Sequence, residues 1–335
     1  MKAISCIKPG LLQYVSLPEP TLKDGHSLVK INRIGICGTD IHAYKGNQPY
    51  FTYPRILGHE LSGTILEASN PNFSIGDQVT IIPYLNCGKC IACRSSKPNC
   101  CTHLKVMGVH VDGGMLEVIA APHSSLLIEN ELSFEELALI EPLAIGAHGI
   151  GRADIKPNEW VLILGAGPIG LGLMNLAKIS GARVIALDTN DYRLKQAQSI
   201  AHVDHVIPPS VNTFEELKEL TDGDMPTIII DATGNLQAIN NAFQYLAHGG
   251  KYILVGLQKE FISFSHPAFH KREATLMSSR NATRADFEYV IKCIKSGLIS
   301  PLQYITHRVS FENMVSDFES LIDIKNGMIK GLIEL

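Results

Sequence analysis

The chain has 335 residues, 45% of them hydrophobic and 19% charged, with a formal net charge of -4. That length exceeds one small core and points to two domains. The charges are spread without a long basic block, which argues against nucleic acid or a membrane surface as partner. No apolar run reaches the roughly 18 residues of a membrane span, and MKAISCIKPG lacks the apolar stretch of a signal peptide. Eight cysteines, several at metal-ligand spacing, suit a reducing cytoplasmic setting better than a disulfide framework.

Residues 1 to about 85 read as short strands broken by Pro, Gly, Asn and Asp: SLVKINRIGIC, then ELSGTILEA, then DQVTIIPY. This first stretch carries a thiolate at Cys37, an imidazole at His59 and a carboxylate at Glu60. Sulfur with nitrogen is the ligand set zinc prefers, and a catalytic zinc keeps one position open. Thr39 and His42 add a hydroxyl and a second imidazole near Cys37, and Gly58 and Gly63 allow close backbone approach. The alternative is a buried cysteine beside a strand-end histidine.

Next comes CGKCIACRSSKPNCC, with Cys87, Cys90 and Cys93 three apart and either Cys100 or Cys101 as a fourth thiolate. Four cysteines close a tetrahedron, so this metal would be structural. A nucleic-acid zinc ribbon can look similar, but this loop has only Lys89, Arg94 and Lys97 and no aromatic residue. Residues 103–128 give two further strand-like runs with a turn at Gly113–Gly114. SFEELALIEPLAIGAHGIGRA then reads as helical, opened by a Ser133–Glu136 capping box. Glu141 stands before Pro142 in an otherwise apolar run, where a carboxylate is costly unless it is paired, bound to metal, or turned to solvent.

From Trp160 the pattern becomes apolar strand, glycine turn, helix, apolar strand. Gly165, Gly167 and Gly170, with Pro168 and Ile169 between, form G-x-G-x-x-G, whose backbone lets a pyrophosphate approach the helix N-terminus. Asp188 ends the second strand, where its carboxylate can bond adenosine ribose hydroxyls and would repel a 2′-phosphate, favouring NAD over NADP. Arg193 lies five residues further on, toward the adenosine or toward solvent. The alternation continues through HVDHVI, PTIIIDATG and GGKYILVGL, giving a doubly wound parallel sheet of the α/β class. Val255, Gly256 and Leu257 fall at a strand's carboxyl end, where such sheets bind ligands.

In combination, GICGTDIH at 35–42, GHE at 58–60, the cysteine loop, EPLA at 141–144 and GAGPIG at 165–170 resemble the zinc-dependent medium-chain alcohol and polyol dehydrogenases over essentially the whole chain. The resemblance implies a GroES-like β-rich catalytic domain, residues 1–142 and 279–335, interrupted by a Rossmann domain, residues 143–278. It implies a catalytic zinc on Cys37 and His59, with Glu60 exchanging on and off the metal and Glu141 on it or near it. It also implies a structural zinc on the cysteine loop, bound NAD, and a homo-oligomer, dimer or tetramer. Thr39 and His42 match a proton relay. The implied reaction is reversible oxidation of a secondary alcohol to a ketone. AYKGNQPYFTYPRILGHE, MGVHVDGG, IDATGN and FHKREATLMSSRNAT are similar to bacterial sugar-acid dehydrogenases of the L-galactonate 5-dehydrogenase kind. Polyol and L-threonine dehydrogenases, and a non-catalytic zinc- and NAD-binding protein, are the competing readings. A carboxylate substrate needs a cation, for which Arg280 is the first candidate, ahead of Lys271, Arg272 and Arg55.

Overall fold

The computed structural model describes residues 1–48 and 51–335; Pro49 and Tyr50, within the stretch that leads to His59, lie outside the described residues. The chain divides into two compact units, Met1–Glu141 with Ile294–Leu335, and Pro142–Cys293. The boundary expected at 278 coincides with the end of a strand, Thr275–Ser278. The second unit runs on to Cys293 and includes most of the helix Arg284–Lys295.

The first unit is built on a seven-stranded sheet. Its main path runs Leu126–Ile128, Gln78–Ile81, Glu60–Ala68, His26–Ile36, Lys330–Glu334, Ile305–Ser310, with Val118–Pro122 also pairing His26–Ile36. The three runs read as strands from their alternation are the three long or central members of this sheet. Inward positions of His26–Ile36 and Glu60–Ala68, such as Ile31, Ile34, Leu61 and Ile65, are fully buried in one apolar core with Ile4 and Leu57. Burying side chains of this size contributes about 1.5–3 kcal/mol each before entropy is counted. The C-terminal strand Lys330–Glu334 pairs antiparallel with the end of His26–Ile36, so the last residues of the chain lie against the strand that leads into Cys37.

Register then fixes the chemistry. Gly35 stands opposite Glu60. A Cβ at residue 35 would come within 1.9 Å of Glu60 Oε2, so glycine there makes room for the carboxylate.

The second unit holds a six-stranded, fully parallel sheet. In chain order its strands are Trp160–Leu164, Arg183–Leu187, His205–Ile207, Ile228–Asp231, Lys251–Leu254 and Thr275–Ser278. In space they lie third, second, first, fourth, fifth, sixth. The strand order reverses beside the first strand, so the glycine turn that follows it sits at the switch point where such sheets bind ligands. Trp160–Leu164 is buried along its entire length, as expected of a central parallel strand covered on both faces.

Candidate functional site

Cys37 follows the strand His26–Ile36 and caps the short helix Gly38–Tyr44, its sulfur accepting the Thr39 N–H at 3.5 Å. Asp40, in that helix's first turn, accepts the Cys37 N–H at 2.9 Å and the Gly58 N–H at 3.3 Å. One fully buried carboxyl thus ties the Cys37 turn to the segment that presents His59. Asp40 also stands 3.8 Å from His59 Nδ1, a buried atom with no hydrogen-bond partner. The ligand atoms of Cys37, His59 and Glu60 lie within 4.8 Å of one another. Thiolate, imidazole and carboxylate at this spacing fit a divalent zinc ion.

The electrostatics of this cluster are set by burial. Burial alone would lower His59, but Cys37 and then Asp40 outweigh it and hold the imidazole well above its usual value. Burial pushes Asp40 up. It also pushes Glu141 up, to about 7, with Glu60 adding to the shift. Like Asp40, two further residues not singled out in the sequence belong to the cluster. Lys330, 2% exposed, places Nζ 2.6 and 2.7 Å from the two Glu60 oxygens and donates to the Ile36 carbonyl at 3.2 Å. Tyr84, on the strand Tyr84–Leu85, donates its hydroxyl to Glu141 Oε1. Glu141 lies in the first turn of the helix Ile140–Ala153, buried beside the trio but outside the group of three that share the 4.8 Å limit. Thr39 is half-buried and His42 exposed; three residues apart, they share one face of the helix Gly38–Tyr44.

The second thiol cluster comprises Cys87, Cys90, Cys93 and Cys101, again within 4.8 Å. The 3-10 turn Pro98–Cys100 leaves Cys100 exposed and turns Cys101 inward, so Cys101 and not Cys100 lies with the other three sulfurs. Backbone N–H groups lower two of these thiols: those of Lys89 and Cys90 act on Cys87, and those of Cys93 and Thr102 act on Cys90. Four sulfurs leave no open position, so the group fits a structural zinc.

In the second unit, Gly167 caps the helix Pro168–Ile179 without any side-chain bond, and Pro168 occupies its first turn. The first N–H groups of this twelve-residue helix, Ile169 and Gly170 among them, are therefore not capped by a side chain, as a pyrophosphate requires. A Cβ at residue 170 would meet the Gly165 carbonyl oxygen at 1.8 Å, whereas one at residue 167 would find only Arg193 Nη1, at 3.9 Å. The turn is tight where strand and helix pack and open where a ligand would approach. Asp188 closes it from the neighbouring strand: Oδ2 accepts the Ala166 N–H at 2.7 Å and Oδ1 the Asn190 N–H at 2.8 Å. Val255 and Gly256 both donate to the Asp231 carbonyl at 2.9 Å, which folds Val255–Leu257 over the carboxyl end of the sheet.

Arg280 is exposed, two residues past the strand Thr275–Ser278. Arg272 donates to the carbonyls of Leu246, Ala268 and Gln244. Arg55 pairs with Asp112 at 3.2 Å and donates to Thr52 at 2.9 Å. Both guanidinium groups are thus engaged within the fold.

Residues 23–130 match the family model for the alcohol dehydrogenase GroES-like domain, and residues 168–296 that for the zinc-binding dehydrogenases. The chain is 41% identical to L-galactonate-5-dehydrogenase of Escherichia coli (strain K12), covering 99% of this chain and 98% of that one. It superposes with a TM-score of 0.93 on a short chain alcohol dehydrogenase from Escherichia coli CFT073 solved with NADH, at 33% identity over 100% and 99% of the two chains. A protein from Sinorhizobium meliloti 1021 solved with NADP is 26% identical, with a TM-score of 0.91 over 100% and 99%.

Proposed function

Because the chain belongs to the zinc-type alcohol dehydrogenase family, we propose that it interconverts a secondary alcohol of an L-galactonate-like sugar acid and the ketone, with NAD as the hydride carrier. Members of this family are dehydrogenases of CH–OH donors, and the chain is an enzyme of that class. The observation that carries the substrate is the 41% identity to an L-galactonate dehydrogenase across both whole chains.

Zinc, held by Cys37 and His59 with a carboxylate of Glu60 or Glu141, would supply Lewis-acid polarisation of the substrate oxygen. NAD, held on the turn of Gly165, Gly167, Pro168, Ile169 and Gly170, would supply the hydride acceptor. The protein's own groups do the rest. Asp40 fixes the Cys37 turn against the Gly58 amide, so that Cys37 and His59 keep their spacing. Thr39 takes the departing hydroxyl proton and hands it to His42, whose exposure gives the proton a path to water. Asp188 bonds the adenosine ribose and excludes a 2′-phosphate, Arg193 flanks the turn, and Val255, Gly256 and Leu257 line the nicotinamide end. Cys87, Cys90, Cys93 and Cys101 would hold a second, structural zinc. Arg280 binds the substrate carboxylate. The enzyme works in the cytoplasm, and it assembles as a homodimer or homotetramer, a reading supported by the end strand Thr275–Ser278, which among the described residues has a single neighbour in the sheet.

The test is turnover with NAD against a panel of aldonates, polyols and L-threonine, followed by the near-ultraviolet absorbance of the reduced nicotinamide. L-galactonate is expected to give the highest kcat/KM. A polyol or L-threonine ahead of every aldonate would overturn the substrate assignment. Arg280→Ala should raise KM for the aldonate and leave that for a polyol unchanged.

A further inference from the structure

Two carboxylates border Cys37 and His59, and each is already held by its own buried donor. Glu60 has both oxygens on Lys330 Nζ, and Glu141 has Oε1 on the Tyr84 hydroxyl. Tyr84 is 7% exposed and Glu141 4%. Their frames are firm. Glu141 sits on a helix of fourteen residues. Tyr84 pairs with Val106 in a two-stranded ladder and precedes the first sulfur of the cysteine loop by three residues.

We propose that Tyr84 is a positioning residue that holds Glu141 off the catalytic metal and so keeps a coordination position open for substrate. The proposal rests on the reading of Cys37 and His59 as metal ligands. A phenol donating to a carboxylate makes a charge-assisted bond, stronger than one between neutral groups. Turning the carboxylate from the phenol toward a cation breaks that bond, so the tyrosine sets a free-energy cost on Glu141 joining the metal. The phenol offers a proton and competes for the oxygen without becoming a ligand itself. Replacing it by phenylalanine keeps the ring and its packing and removes only the donor. Glu141 is then a buried carboxylate without that partner, and a divalent cation on Cys37 and His59 is the compensation within reach.

The experiment uses full-length protein that retains the cysteine-loop metal, with the Cys37 site emptied by a chelator and then titrated with Zn²⁺ or Co²⁺ in chelator competition. Wild-type protein should take up one Co²⁺ with a sulfur-to-cobalt charge-transfer band. Absence of that band would overturn the metal reading itself, and the proposal with it. If wild type binds, Tyr84→Phe should bind Zn²⁺ more tightly, by roughly ten- to a hundredfold, the range of one hydrogen bond to a charged group. Its visible Co²⁺ absorption should weaken as the carboxylate raises the coordination number. Substrate KM should rise. Unchanged or weaker Zn²⁺ affinity with an unchanged spectrum would overturn the role of Tyr84 while leaving the metal site standing. A second variant removes dependence on the first. Glu141→Gln should bind Zn²⁺ within about tenfold of wild type, and adding Tyr84→Phe to it should change nothing further, because the tyrosine acts only through the carboxylate. A large loss of Zn²⁺ in Glu141→Gln alone would show the carboxylate already on the metal and overturn the proposal.

Discussion

Replacement of Lys330 by methionine should destabilise the first unit by about 3–5 kcal/mol, the cost of breaking a buried ion pair on one side. An exposed pair would be worth at most about 1 kcal/mol. The larger figure applies because Lys330 is 2% exposed and Glu60 fully buried, with Nζ within 2.7 Å of both oxygens. Methionine keeps the apolar stem, so little of the loss can come from a cavity. What is lost is the only ion-pair partner of Glu60 among the described residues. At about 2–4 °C per kcal/mol for a unit of this size, the melting transition should fall by roughly 6–20 °C. Burial by itself would lower the ammonium, but Glu60 outweighs it and raises it above its ordinary value. Its contribution is therefore complete through neutral pH and disappears only as pH climbs past the ordinary lysine range toward the raised folded value. Calorimetry and urea denaturation on chelator-treated protein would measure the loss. The companion variant Lys330→Met with Glu60→Gln removes both charges and should recover most of it. A loss below about 1 kcal/mol for the single variant, or a double variant no more stable than the single, would refute the reasoning.

Gly170→Ala should weaken NADH binding by roughly ten- to a hundredfold, since the new Cβ would meet a backbone carbonyl that cannot move without opening the turn; fluorescence titration checks this, and wild-type affinity would contradict it. Asp188→Ala removes the acceptor of two backbone N–H groups and should cost about tenfold or more in NADH affinity, with a smaller loss for NADPH; equal losses would reduce Asp188 to a scaffold role. Asp286 accepts the Thr283 N–H and hydroxyl at 2.7 Å and lies 2.9 Å from His148 Nδ1. Burial would raise its carboxyl, but the bonds to His148 and Thr283 prevail and lower it. Its stabilisation is thus present above the ordinary carboxylate value and lost as pH falls through the lower folded one. Asp286→Asn should cost about 1 kcal/mol at neutral pH, as loss of a cap does, and progressively less as pH falls below the ordinary aspartate value of about 3.9; a series of urea midpoints across that range decides it.

The parts legible in the sequence are those whose chemistry is carried by short spacing. The steps Cys87–Cys90–Cys93 place three sulfurs on one loop whatever surrounds it, and Gly165, Gly167 and Gly170 shape one turn between a strand and its own helix. Strands of the central sheet are readable because β-branched and apolar residues recur along them, although bulges at Leu28–Val29 and Ile31–Arg33 break strict alternation. The fourth sulfur was not decidable, because Cys100 and Cys101 are equally near in sequence and only the turn Pro98–Cys100 distinguishes inside from outside. Lys330 and Tyr84 are illegible in the sequence for a different reason. They lie 270 and 57 residues from the carboxylates they hold. One cue for Lys330 exists: it immediately precedes the terminal strand-like run GLIEL, and a lysine in a buried strand demands a partner.

Spacing and burial answer different questions about such a cluster. The spacing of Cys37 and His59 along the chain says which atoms are soft enough to hold zinc, but is silent on the net charge around them. That charge is set by side chains from distant segments. Asp40, Glu60 and Glu141 are all buried here, while the cationic groups facing them are Lys330 and the imidazole of His59. Lys330 is committed to Glu60, so it neutralises one carboxylate and leaves two, besides the thiol of Cys37. A buried excess of negative charge is sustained only by bound protons or a bound cation. Burial raises Asp40 and Glu141, and Cys37 with Asp40 outweighs burial to raise His59, so Asp40, Glu141 and His59 each move toward holding a proton. A dication on the same atoms would satisfy the same imbalance and displace those protons, which ties metal uptake at this cluster to pH.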